Sequence, residues 1–159
     1  MVYFCTEKFL KDNGMITANV DVTDFTPLIQ FCSKAYIKPM IGSYFFEDLL
    51  SKYNAQTLSP DEITLVEKMK FAISWRATAE AGVSLTYQLK NKGYQTQAGD
   101  NSNNPDDGTV WKLYDHYIQK AIFFQSEVAD YLNLNKDLYP VYLNKLNNDS
   151  SIKNSSGIS

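Results

Sequence analysis

Apolar side chains recur every three to four positions along most of this chain, and the rhythm fails in stretches rich in Asn, Gly and Pro. That spacing predicts helices, and the breaks predict their ends. A short helix is expected from Thr6 to Asp12, capped by Thr6, ended by Gly14 and anchored by Phe9 and Leu10. Residues 15–23 read as an extended connector. Asp24 would cap a second helix from Phe25 to Lys38, with Phe25, Leu28, Ile29, Cys32, Ala35 and Tyr36 at helical spacing. Pro39 should stop or kink it, since proline lacks the N–H that a helix interior needs.

Gly42 and Ser43 open a third helix to about Asn54, with Phe45, Phe46, Leu49, Leu50 and Tyr53 inward and Glu47 and Asp48 on the wet side. The clearest start in the chain is Ser59-Pro60-Asp61-Glu62, a capping box with proline at the first helical position. The helix it opens should run to about Lys90, roughly 45 Å at 1.5 Å per residue. Val66, Met69, Ile73, Val83 and Tyr87 form one stripe on it; Phe71, Trp75, Gly82, Leu85 and Leu89 form another. A helix apolar on two sides packs against neighbours on both.

Residues 91–107 carry no helical period, although Gly93 to Gln97 would suit a short strand. Loops of that length are usually functional or disordered. Asp107 caps a last long helix to about Leu132, with Val110, Tyr114, Tyr117, Ala121, Phe124 and Val128 as its main stripe. Trp111, Ile118, Ile122, Ala129 and Leu132 widen that stripe. Leu138 to Leu143 is an aromatic extension in which Pro140 opposes further helix, and the polar stretch from Asn147 should be disordered alone. The pattern therefore predicts a mainly α protein: a helical bundle with two long helices, a long loop between them and a flexible C-terminal tail. Residues 1–146 form the helical domain and 147–159 the low-complexity polar tail.

Composition narrows the function. The chain has 159 residues, enough for one core without metals or disulfides, and it is 44% hydrophobic and 21% charged. Its net charge of −3 and lack of any Lys/Arg patch argue against tight, general nucleic-acid binding. No apolar run reaches the length of a membrane span, and the first residues do not read as a signal peptide, so a cytosolic site of synthesis is expected. Cys5 and Cys32 read as two free, packed thiols. Arg76 is the sole arginine, Lys is preferred, and Asn is abundant, which follows AT-rich codons.

Little chemistry survives inspection. His116 sits with Lys112, Asp115 and Lys120 on a polar helix side, and Asp115 points about 100° away from it. A solvated surface histidine fits better than a catalytic one. Asp100 to Gly108 superficially resembles a calcium loop, but Pro105 and Trp111 occupy the sixth and twelfth places, where an EF-hand needs Gly and Glu. Arg76 and Glu80, four apart in an apolar helix, read either as an exposed pair or as a polar contact at a subunit boundary or inside the bundle. No phosphate loop, nucleotide fingerprint or metal motif is present, so no enzyme, cofactor or metal is expected.

A family resemblance adds to this reading. Phe4-Cys-Thr-Glu-Lys-Phe-Leu-Lys-Asp-Asn-Gly-Met-Ile-Thr-Ala-Asn-Val-Asp21 and Leu28-Ile-Gln-Phe-Cys-Ser-Lys-Ala-Tyr-Ile-Lys-Pro-Met-Ile-Gly42 resemble the opening of phage and prophage structural proteins. The aromatic, Leu-rich helix from Tyr44 to Leu50, the Asn91-Lys92-Gly93 turn, the last long helix and the Tyr139-Pro140 element follow in the same order. The likeness covers residues 4–143 and is greatest to the ring proteins beneath the portal of crAss-like phages. More distantly the chain is similar to head–tail adaptors that form twelve-membered rings. The resemblance implies a virion structural protein assembled in the bacterial host cytoplasm. It would form a head–tail connector ring with copies of itself, expected to number twelve, and join the portal protein to other neck or tail proteins. Genomic DNA would pass through the lumen without specific binding. Tyr94, Trp111, Tyr139 and Tyr142 are then the aromatic interface candidates, beside Arg76 and Glu80. The alternative from another class is a small helical regulatory or scaffold protein that binds a single partner.

Overall fold

The computed structural model describes residues 3–13, 25–90, 93–96 and 107–142, with the backbone alone at 85–90, 93–96 and 107. The helices are α1 (Glu7–Asn13), α2 (Phe25–Cys32), α3 (Lys38–Ile41), α4 (Ser43–Ala55), α5 (Pro60–Thr86) and α6 (Asp107–Leu134). A π-helical turn (Ser33–Ile37) joins α2 to α3, a hairpin of β1 (Tyr87–Lys90) and β2 (Gly93–Thr96) follows α5, and a 3-10 turn (Lys136–Leu138) follows α6. The expected mainly α bundle with two long helices is what forms, and α5 and α6 pack extensively against each other. None of the described helices is long and apolar enough to cross a membrane.

The cap signals act as the sequence implies. Thr6 Oγ1 accepts the Phe9 amide at 3.1 Å and so starts α1. At the head of α5, the Ser59 amide donates to Glu62 Oε2 at 2.8 Å and the Glu62 amide donates to Ser59 Oγ at 3.3 Å, the reciprocal pair of a capping box. Gly42, at φ 94°, separates α3 from α4, a backbone state open to glycine and strained for other residues. Gln56 ends α4 in the left-handed region at φ 57°. The 15–23 connector, the Asp24 cap, Gly14, most of the 91–107 loop with its calcium-like run, and the tail from Asn147 lie outside the described residues.

Two boundaries differ from the pattern. Pro39 does not stop the second helix, because the chain stays helical to Ile41. The π turn just before it resets the ladder, and Pro39 then occupies the first turn of α3, where a missing N–H costs nothing. Ser33 Oγ donates to the Ile29 carbonyl at 2.7 Å where the π turn begins. The second difference is that α5 ends at Thr86. Tyr87–Lys90 instead pairs antiparallel with Gly93–Thr96, placing Tyr87 opposite Thr96 and Leu89 opposite Tyr94. Tyr87 and Leu89 fit an alternating strand as well as a helical stripe, and the available antiparallel partner decides between them.

The core gathers Phe4, Leu10, Phe25, Ile29, Ile37, Ile41, Phe46, Leu49, Leu50, Leu65, Met69, Ile73, Val128 and Leu132, all buried. Phe46 takes the edge of Phe4 at 5.4 Å, and Phe71 stacks on Phe124 at 5.4 Å between α5 and α6. Ala72, Ala77, Ala79 and Ala81 are buried along α5, and Ala121 along α6. Small side chains of this kind allow long helices to approach closely. Cys5 and Cys32 are free and buried, and burial pushes each thiol up to about 12.

Candidate functional site

Arg76 and Glu80 project from the middle of α5, and they do not pair with each other. Their partners come from two other elements, the π turn and α6. The Arg76 guanidinium lies over the Tyr36 ring of the π turn, 4.1 Å from its centre. It donates Nε and Nη2 to Gln125 Oε1 of α6 at 3.1 and 2.9 Å. Glu80 accepts the Tyr114 hydroxyl at 3.3 Å. Burial, reinforced by the Glu80 charge, raises both the Tyr36 and the Tyr114 phenol, so Tyr114 keeps the proton it donates. The result is a polar seam inside an apolar helix pair. On the other flank of the helix pair, Lys120 lies over the Trp75 ring at 4.4 Å. These contacts fix the rotation of α6 on α5, since sliding either helix by one residue would break several of them together.

The aromatic candidates separate into different environments. Tyr139 is buried: its hydroxyl donates to the Asp61 carbonyl at 2.8 Å and lies 3.2 Å from the Tyr131 hydroxyl. Tyr142 is buried as well, 3.4 Å from Asn133 Oδ1, and both rings lean on Phe45. The structure thus places these two, expected at an interface, in the core, where they fasten the end of α6 to α4 and to the head of α5. Pro140 follows the same logic as Pro39, opening a helical turn over 140–142. Trp111 is 52% exposed and edge-on to Tyr114. Tyr94 lies on β2, where the side chain is outside the described atoms.

Exposed apolar groups mark the outer surface. Along α6, Trp111, Leu113, Ile122, Phe123 and Leu134 face outward, although Trp111 and Ile122 had been expected to widen the inward stripe. Phe31, Tyr44 and Ile63 are also exposed. Between the first half of α5 and the second half of α6 an open groove of about 470 Å³ is lined by Ile63, Thr64, Glu67, Lys68, Phe71, Phe124 and Glu127. Sequence reasoning missed this groove and the Arg76 partners, because Arg76 and Gln125 are far apart in the chain and nothing local couples them. Phe31 was detectable: it is a large apolar residue off the inward stripe of its helix.

His116 is exposed beside Tyr117. Among the described residues no group of three or more His, Cys, Asp or Glu side chains is gathered to hold a metal ion. The three hydrogen bonds of the seam run between side chains of α5 and α6, an arrangement that holds the two helices in register.

A family model described as a family of unknown function (DUF6712) matches residues 37–152, more than half of the chain. No curated protein and no solved structure matches it.

Proposed function

We propose, for a chain that belongs to this family of unknown function (DUF6712), the role of a structural subunit in the connector ring between a phage portal and tail. The observation that carries the reading is the set of large apolar side chains left exposed on a braced helix pair: Trp111 and Ile122 on one stripe of α6, Phe123 and Leu134 on another, with Ile63 on α5. Large apolar side chains exposed along a helix pair suit a surface that a partner covers. The pair beneath it is stiffened by the Arg76–Gln125 and Tyr114–Glu80 contacts, which suits a wall that repeats around a ring. The likeness of residues 4–143 to portal-associated ring proteins supports the same reading. So does the charge of −3, which would let DNA slide past an acidic lumen without being held.

The experiment is direct. The full chain is mixed with portal protein, the mass of the complex is measured, and the neck of the mature particle is imaged. A closed ring of copies on the portal is the expected result. A single copy bound one-to-one to a soluble regulatory partner, with no chain in the particle, would replace this reading with that of a helical scaffold protein.

A further inference from the structure

We infer that one flank of the subunit carries the ligand for the other, so that Phe31 and Lys34 of one copy seat in the α5–α6 groove of the next. This rests on the ring reading and names the surfaces that would close it.

The groove is apolar at its floor and acidic at its rim. Phe71 and Phe124, stacked at 5.4 Å, make the floor, and Ile63, 48% exposed, makes one lip. Glu67 and Glu127 line the sides. Glu67 is engaged by Lys70, and Lys68 lies over the Tyr131 ring. Among the described residues, no ion pair within 4.0 Å reaches Glu127. The matching surface would be an aromatic ridge with a cation beside it.

The helical run from Phe25 to Ile41 presents such a ridge. Pro27, Phe31, Lys34 and Ala35 are all exposed along it, at the spacing of one helix face. Phe31 is 51% exposed, and the run contains two lysines and no acid. Lys38 is already paired with Glu47, whereas Lys34, exposed, lies over Tyr3, whose hydroxyl favours its charge as does the more distant Glu47. The acid nearest the ridge on α1, Glu7, accepts the Thr26 hydroxyl at the ridge's far end. A phenyl ring arriving edge-on at the Phe71–Phe124 stack adds a favourable aromatic contact, and Lys34 then comes within reach of Glu127.

Within one molecule the two surfaces cannot meet. Residues 64, 67, 68 and 71 share one side of α5, and Ile73, Arg76 and Glu80 lie about half a turn round from them. The latter side is the one that meets the Tyr36 turn and carries the ridge. A ridge on one flank and its groove on the opposite flank make a head-to-tail contact, which closes into a ring when the rotation per subunit allows it.

The test uses the full chain and measures self-association by sedimentation and single-particle mass. Phe31→Gln and Ile63→Gln both change exposed residues, and circular dichroism confirms that the fold is kept. Each variant alone should associate at least about tenfold more weakly than wild type. Mixed, they should form a one-to-one pair, because each retains the surface the other lacks. Lys34→Glu and Glu127→Lys should each weaken assembly, and the chain carrying both should recover it. A wild type that stays monomeric at the highest concentrations overturns the inference. So does a wild-type ring that all these variants still form, and that result leaves the connector reading standing. Loss of portal binding without loss of self-association would assign the groove to the portal and overturn the pairing.

Discussion

The two ends of α5 carry the same kind of helix into opposite surroundings. Near its start, Leu65, Val66, Met69 and Ile73 are enclosed by α1, α2, α4 and the turn after α6, with Tyr139 closing the end against Asp61. Towards its finish, Ala79 and Gly82 meet Val110 and Tyr114 of α6 while Ala77 and Ala81 still reach the main core, and Trp111 and Leu113 stand half in solvent. One end is a finished core built from rings and branched aliphatics. The other is a close, thin contact of small side chains whose outer layer is missing. The difference teaches where stability resides and where binding is available, and each region should respond to substitution accordingly.

The largest effect should come from the enclosed end. Phe46→Ala removes a fully buried ring that meets Phe4, and should cost about 3–5 kcal/mol in chemical denaturation. A loss below about 1 kcal/mol would mean that this end is less tightly packed than described.

Alkaline pH should act on the same region. Burial raises the Cys5 and Cys32 thiols from their ordinary 9.0 to about 12, so the folded chain holds protons that the unfolded chain releases. Their contribution is complete below about pH 9 and is lost as pH climbs towards 12, so stability should fall across that window by up to about 4 kcal/mol per thiol. Replacing both cysteines with alanine should flatten that part of the pH–stability curve, and an unchanged slope would remove the thiols from the account.

Smaller effects are expected at the fastenings. Tyr139→Phe keeps the ring and removes the hydrogen bond to the Asp61 carbonyl, for about 1 kcal/mol. A double-mutant cycle on Arg76→Ala and Gln125→Ala should return a coupling of about 1 kcal/mol, because the two side chains make direct hydrogen bonds. Additive losses would show that α6 finds its place on α5 without them.

The smallest change in stability should be at the open end. Trp111→Ala should move the unfolding free energy by no more than about 0.5 kcal/mol, as for exposed positions generally. A large loss there would reveal packing that the exposure of Trp111 does not suggest and would erase the contrast between the two ends.

Much of the fold was legible from local patterning. Ser59, Pro60 and Glu62 announced α5 because a capping box is made by residues three apart. Phe45, Phe46, Leu49 and Leu50 announced the inner face of α4 because burial follows a 3.6-residue period. The surface was less readable. Trp111 and Ile122 continue an apolar period, yet α5 is too narrow to cover them, so they face outward. Tyr139 and Tyr142 looked like free anchors because the turn that folds them back onto Phe45 is set by α4, almost a hundred residues earlier.

By itself, then, the sequence determined the elements, their caps and the apolar face of most of them, since these depend on residues a few positions apart. Only the tertiary structure decided which partner each polar side chain took: Gln125 and the Tyr36 ring for Arg76, Tyr114 for Glu80. It also decided that Tyr87 to Lys90 would pair as a strand and that Ile63, Phe71, Phe124 and Glu127 would share a groove. Such outcomes depend on which helix lies beside which, and at what rotation, and that is settled by packing the whole core at once.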